Sequence, residues 1–172
     1  MPRLFSGRVI FYLIFLLVVD FCLMPLVRSG IFFPVLLYLM VPYAAFVWRW
    51  EKTTALALVI GLLRDLTVNH PFGIETIAVV VTAHFLDIFV HKVERDAWAV
   101  RFMMSFLFLL SVGMLILVIE PMMGGRVFLS WGTFLEVFKM AVSTTFVMPV
   151  VFFCTALFFR DRAPIRQYEL FG

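Results

Sequence analysis

Long apolar runs, separated by short clusters of charged and turn-forming residues, divide the chain into six segments. A bilayer core about 30 Å thick needs about 20 apolar residues per helix, and the runs are close to that length. They are continuous rather than alternating, which favours helices over the strands of a membrane barrel. The pattern predicts an all-α integral membrane protein, a six-transmembrane-helix bundle in a single domain over 1–172. The predicted spans are 9–27, 31–48, 53–68, 72–90, 98–119 and 140–159.

The third and fourth runs carry more charge than the others. The third is the shortest and ends at Arg64 and Asp65, whereas the fourth contains Glu75 and Asp87. Ionisable side chains are costly inside a bilayer and need partners there. We therefore regard Asp20, Arg64, Glu75 and Asp87 as candidate intramembrane polar partners of one another or of Asp65.

The longest connection lies between the fifth and sixth runs. Its apolar residues recur at helical spacing over 127–138, and Trp131 suits the headgroup region. This pattern predicts an interfacial helix over 127–138. The alternative is that the sixth helix begins early.

Composition excludes a soluble protein. Hydrophobic residues make up 64% of the chain, which has 22 phenylalanines, and its mean hydropathy is +1.08. A soluble domain cannot bury so much apolar surface. The connections are also too short to form a separate domain, so the function is expected to reside in or at the membrane.

The distribution of basic residues predicts the orientation, because lysine and arginine beside transmembrane helices stay on the cytoplasmic side. Ten of them flank one face of the predicted bundle and four flank the other. Both termini are therefore predicted to be cytoplasmic. This asymmetry also accounts for a pI near 9.1, so lipid is the expected partner of the positive charge and nucleic acid is not. The larger set is Arg3, Arg8, Arg49, Lys52, Lys92, Arg95, Arg101, Arg160, Arg162 and Arg166, and the smaller is Arg28, Arg64, Arg126 and Lys139.

One constellation stands out at the junction of the third and fourth runs. Gly61 permits close approach of a neighbouring helix, and Asp65 lies one turn further along the same face. Pro71 and Gly73 are turn residues that can open the fourth helix. The partner of Asp65 is Arg64, the first turn of the fourth helix, or a basic side chain elsewhere. If the carboxylate only caps that helix, its role is structural.

These residues resemble the hallmark of the rod-shape-determining MreD family. The sequence Gly61-Leu-Leu-Arg-Asp-Leu66, followed by Pro71-Phe-Gly-Ile74, matches the family's glycine, its aspartate in an L-x-D-L context and its P-x-G entry to the next helix. The layout of small loops and a short polar tail is similar as well. The chain differs from the family over 67–70, where a bulkier segment replaces a short Ser/Gly-rich turn.

The resemblance implies a non-catalytic scaffold of the bacterial elongation complex in the inner membrane, without cofactor or metal. MreD proteins act with MreC, which connects the MreB filament to membrane peptidoglycan synthases, a glycosyltransferase and a class B penicillin-binding protein. The implied fold is similar to the membrane substrate-binding subunit of energy-coupling-factor transporters. Shared architecture does not by itself decide function.

Two other functions fit the residues less well. A solute-binding component of a vitamin transporter needs polar groups that converge on a ligand, whereas helical periodicity directs Glu75 away from His84. A metal enzyme would use His84, Asp87 and His91, which share one helical face. The sequence shows no second ligand cluster with metal spacing and no nucleophile motif. Neither alternative is favoured.

The predicted orientation can be tested with reporters at both termini. A green fluorescent protein should fluoresce at either end, and alkaline phosphatase should be inactive there, because both ends are predicted to be cytoplasmic. A reporter inserted after Gly124 is the matched control and should give the opposite result. Active phosphatase at the C-terminus would mean that the number of spans is odd.

Overall fold

The computed structural model describes residues 7–27, 35–67, 71–93, 97–124 and 130–158, and these residues contain helices and turns but no strand. The all-helical prediction is confirmed for this part of the chain. The helices are α1 (Gly7–Val27), a 3₁₀ turn (Leu36–Leu39) leading into α2 (Met40–Val47), α3 (Trp50–Asp65), α4 (Ile74–Val90), α5 (Trp98–Met122) and α6 (Trp131–Phe158).

Two of these helices, α5 and α6, are long and apolar enough to be candidate membrane spans. Shorter apolar helical stretches cover Phe11–Asp20 and Leu36–Val47. The second predicted span is shorter than expected, because the 3₁₀ turn and α2 have only 4 and 8 residues. Residues 31–34 of that prediction lie outside the described residues. The part of the chain that is described therefore shows a helical protein with two candidate spans.

The interfacial helix predicted over 127–138 is not a separate element. Helix α6 runs without a break from Trp131 to Phe158, so its first turns occupy this region, and 127–129 lie outside the described residues. The sixth helix therefore begins nine residues before the predicted position 140, which is the alternative of an early start. The exposed side chains of Glu136 and Lys139 interrupt the hydropathy but not the helix. Charged residues of this kind have good helix propensity.

The remaining boundaries differ from the prediction by a few residues. Helix α3 begins at Trp50 rather than at 53 and ends at Asp65, and α5 extends to Met122. Helix α1 begins at Gly7 instead of 9, whereas α4 begins at Ile74 instead of 72. The boundaries shift because turn residues and charges mark the ends of a helix less sharply than apolar periodicity marks its interior.

Helix α2 forms the centre of the bundle. It packs against α3, α4, α5 and α6, and the 3₁₀ turn before it packs against α1 and α6. A helix that is apolar on all sides is expected to be buried in this way. The residues with no exposed surface in this element are Leu37, Leu39, Met40, Val41, Ala44 and Ala45.

Small and hydroxyl-bearing residues of α5 and α6 allow close packing around this centre. A Cβ built on Gly113 would lie 2.5 Å from Val137 Cγ1, so glycine lets α5 and α6 approach. Thr144 Oγ1 accepts a hydrogen bond from the Val35 amide at 3.0 Å, and Tyr12 Oη lies 2.9 Å from Thr155 Oγ1. These contacts join α6 to α1 and to Val35, which directly precedes the central element, defined as the 3₁₀ turn together with α2 (Leu36–Val47).

Candidate functional site

The α3–α4 hairpin brings together all four residues of the family-like motif. The two helices are in close contact at Gly61, where a Cβ would lie 2.5 Å from Thr76 Cα. The atom in the way belongs to the backbone of α4, so no side-chain rotation could relieve the contact. Gly61 is buried and leaves room for α4 to lie directly against α3.

Asp65 caps the N-terminus of α4. Its Oδ1 accepts a hydrogen bond from the Glu75 amide at 3.0 Å, and its Oδ2 accepts from the Thr76 amide at 3.2 Å and from Thr76 Oγ1 at 2.5 Å. The first amides of a helix have no partner within the helix and carry a partial positive charge. Of the partners that the sequence left open, the structure selects the first turn of α4.

The turn before α4 depends on a glycine. Gly73 is the N-cap residue with φ 99°, a left-handed conformation that side chains disfavour, and its carbonyl accepts the first helical hydrogen bond from Ile77 at 3.0 Å. Pro71 lies two residues earlier, in the turn itself. Together they reverse the chain so that the amides of α4 point at Asp65.

The same capping arrangement occurs a second time, at the start of the central element. Asp20 of α1 accepts hydrogen bonds from the Leu36 amide at 2.9 Å and the Leu37 amide at 3.1 Å, one on each carboxylate oxygen. An aspartate of one helix thus caps the helical segment that follows it in the chain. Both carboxylates satisfy amides that would otherwise lack partners in an apolar surrounding.

Arg64 connects these two junctions. Its guanidinium group lies 4.0 Å from Glu75 Oε1, interacts electrostatically with Asp20, and is placed 5.4 Å from the centre of the Tyr38 ring. The arginine side chain is 17% exposed and that of Glu75 is 4% exposed, so the pair is largely shielded from its surroundings. The positive charge offsets part of the negative charge that the carboxylates concentrate here.

A second glutamate, Glu120, interacts with the group around Arg64 and Glu75. Glu120, near the end of α5, is buried and interacts electrostatically with Glu75. Within the described residues, Glu75 Oε2, Arg64 Nε and Tyr38 Oη are buried without a hydrogen-bond partner. The α3–α4 hairpin therefore adjoins a polar cluster, Asp20, Tyr38, Arg64, Glu75 and Glu120, to which α1, the central element, α3, α4 and α5 all contribute.

Asp87 lies apart from this cluster, near the other end of α4. His91 Nδ1 lies 3.7 Å from Asp87 Oδ2 and forms a hydrogen bond with the Asp87 carbonyl at 2.7 Å. His84 is exposed. Among the described residues, no three His, Cys, Asp or Glu side chains are grouped so that they could hold a metal ion.

The structure thus joins three of the four candidate polar partners and separates the fourth. Arg64 lies 4.0 Å from Glu75 and interacts electrostatically with Asp20, so these three candidates belong to one cluster. Tyr38 and Glu120 belong to the same cluster but were not among the candidates. The sequence does carry a signal for Glu120, since a carboxylate stands directly before Pro121 at the end of the fifth apolar run.

Replacing Asp65 with alanine should destabilise the protein by about 1–3 kcal/mol, because two amides and a hydroxyl lose their acceptor in an apolar site. Asp65→Asn, which keeps one carbonyl oxygen, should lose less. The measurements are the amount of monodisperse protein in detergent and its Tm. Glu136→Ala removes an exposed carboxylate and should change neither quantity. An unaltered Tm for Asp65→Ala would show that the cap contributes nothing to stability.

Gly61→Ala should also lower Tm, by the equivalent of about 1–3 kcal/mol, because the new methyl group forces α4 away from α3. Gly132→Ala is the matched control. Its Cβ would meet only Ser130 Oγ at 3.8 Å, so it reports the gain in helix propensity alone. If both variants were equally stable, the close contact at Gly61 would not be required.

Comparison with known proteins assigns no relative to this chain. No family model matches it, no curated protein matches it, and no solved structure matches it. The geometry of the α3–α4 hairpin and the sequence resemblance are therefore the basis for a proposed function.

Proposed function

We propose that this chain is a non-catalytic scaffold of the bacterial elongation complex, embedded in the inner membrane with six spans and both termini in the cytoplasm. In this role it docks MreC and helps to link MreB filaments to the peptidoglycan synthases. The observation that carries the proposal is the α3–α4 hairpin. Of the residues that resemble the MreD hallmark, Gly61 and Asp65 form the contact between α3 and α4, and Gly73 and Pro71 lie in the turn that begins α4.

The way in which the polar groups are used supports a structural role. Both oxygens of Asp65 and both oxygens of Asp20 accept backbone amides, which fixes the directions of α4 and of the central element. A carboxylate occupied by several backbone donors is suited to holding a shape. A scaffold needs such a shape, since its partners dock on fixed helix faces.

The apolar outer surface of the bundle supports the proposal that the protein lies in the membrane. Large apolar side chains are exposed on every long helix, among them Phe11, Phe85, Leu107 and Phe153 at 63%, 56%, 45% and 66%. A soluble monomer rarely exposes apolar surface of this extent. A bilayer, together with the transmembrane helices of partner proteins, would cover it.

The proposal predicts which proteins accompany this chain. After gentle solubilisation from its native membrane, the tagged protein should co-purify with a single-span coiled-coil protein and with a glycosyltransferase and a class B penicillin-binding protein. Mass spectrometry identifies them. A multi-pass protein of similar size with the same tag is the control for non-specific recovery.

Different companions would overturn the proposal. Paired ATPases with a coupling membrane subunit, or a bound vitamin, would assign the bundle to a solute transporter. Recovery of the chain alone under conditions that preserve a known membrane complex would also contradict a scaffold role.

A further inference from the structure

The polar cluster contains three buried atoms that form no hydrogen bond with any described residue. They are Tyr38 Oη, Arg64 Nε and Glu75 Oε2. The side chain of Glu75 is 4% exposed and Tyr38 is 1% exposed, so both are enclosed by the bundle. A buried polar atom without a partner is costly, and in folded proteins nearly all such atoms bond to another protein group or to ordered water.

The three side chains lie next to one another. Arg64 Cζ is 5.4 Å from the centre of the Tyr38 ring, and Arg64 Nη2 is 4.0 Å from Glu75 Oε1. A separation of 4.0 Å is too long for a direct hydrogen bond, but it allows a bridge through a small molecule. The unsatisfied atoms of three helical segments therefore surround one position inside the bundle.

The two aspartate caps hold the backbone on both sides of this position. Asp65 accepts the hydrogen bond of the Glu75 amide at 3.0 Å, and Asp20 accepts that of the Leu37 amide, next to Tyr38, at 3.1 Å. Both segments are thus fixed by bonds of their own. The gap between the side chains is a consequence of that backbone geometry.

Hydrogen-bonding chemistry identifies what fills the gap. Tyr38 Oη and Arg64 Nε can each donate a hydrogen bond, whereas the Glu75 carboxylate can only accept one. The ligand must therefore both accept and donate. An anion is repelled by Glu75 and by Glu120, which interacts with Glu75 electrostatically, and a cation is repelled by Arg64. Water is small and neutral, and it both accepts and donates.

We propose that Tyr38, Arg64 and Glu75 hold internal water, which accepts hydrogen bonds from Tyr38 Oη and Arg64 Nε and donates one to Glu75 Oε2. This water joins the central element, α3 and α4 at the end of the bundle where the two caps lie. Buried water with about three hydrogen bonds is a structural part of a protein. The site belongs to the bundle itself, so it does not depend on which partners the scaffold docks.

X-ray radiolysis of the full chain in its native membrane tests for this water. Radiation converts bound water into hydroxyl radicals, which oxidise the side chain beside it before they diffuse away. Tyr38 should be oxidised several-fold faster than Tyr12, as measured by mass spectrometry. Tyr12 is the matched control, because it is also 1% exposed and its Oη lies 2.9 Å from Thr155 Oγ1. Equally slow oxidation of the two tyrosines would overturn the proposal.

The sign of a change in Tm gives a second test. Tyr38→Phe keeps the ring beside Arg64 and removes only the hydroxyl. If the hydroxyl binds water, the variant should lose about 2–4 °C in Tm, as should Tyr12→Phe, which loses the contact with Thr155. If the hydroxyl has no partner, its removal should leave Tm unchanged or raise it, because an unsatisfied buried group is then eliminated. That result would contradict the water site.

Ion exchange distinguishes water from a bound ion. Replacing sodium with potassium, or chloride with acetate, at constant ionic strength should leave the Tm of the wild type unchanged, because water is neutral. A Tm that follows one ion, and no longer does so in Glu75→Gln, would place an ion at this site and overturn the proposal. Recovery of the coiled-coil partner decides the scaffold role and does not bear on the oxidation of Tyr38, so the two proposals can fail separately.

Discussion

The contact between a carboxylate and the start of a helix organises this protein. Asp20 and Asp65 each reach forward from one helix and bind the first amides of the next helical segment. In an apolar surrounding neither the carboxylate nor the amides have water as an alternative partner. The amides gain the acceptors that they lack within the helix, and the carboxylate gains the positive end of the helix dipole. The two contacts fix where the central element begins and how α4 returns against α3.

Close backbone packing and charge balance both follow from these contacts. The cap at Asp65 holds α4 at a distance from α3 that only glycine at position 61 permits. Arg64, adjacent in sequence, is then placed at the same end of the bundle, where it lies beside Glu75 and interacts electrostatically with Asp20. One turn of α3 thus supplies the close contact, the cap and the balancing cation, which explains why these residue types occur together.

The remaining polar residues divide by position in the bundle. Those near the α3–α4 hairpin face inward and are used to join helices, whereas His84 faces away from the bundle and Asp87 borders the same face.

The sequence by itself determined the helical class, the number of helices in the described chain and the approximate position of each, because long continuous apolar runs, separated by charged and turn-forming residues, mark helices and their ends. It also singled out Gly61 and Asp65 by their spacing on one helical face. Tertiary structure alone decided that Asp65 caps α4, that Asp20 caps the central element and that Glu120 interacts electrostatically with Glu75. It also decided that α6 continues through its exposed charges. Those contacts join residues distant in the chain, so they depend on how the helices pack, which local periodicity does not encode.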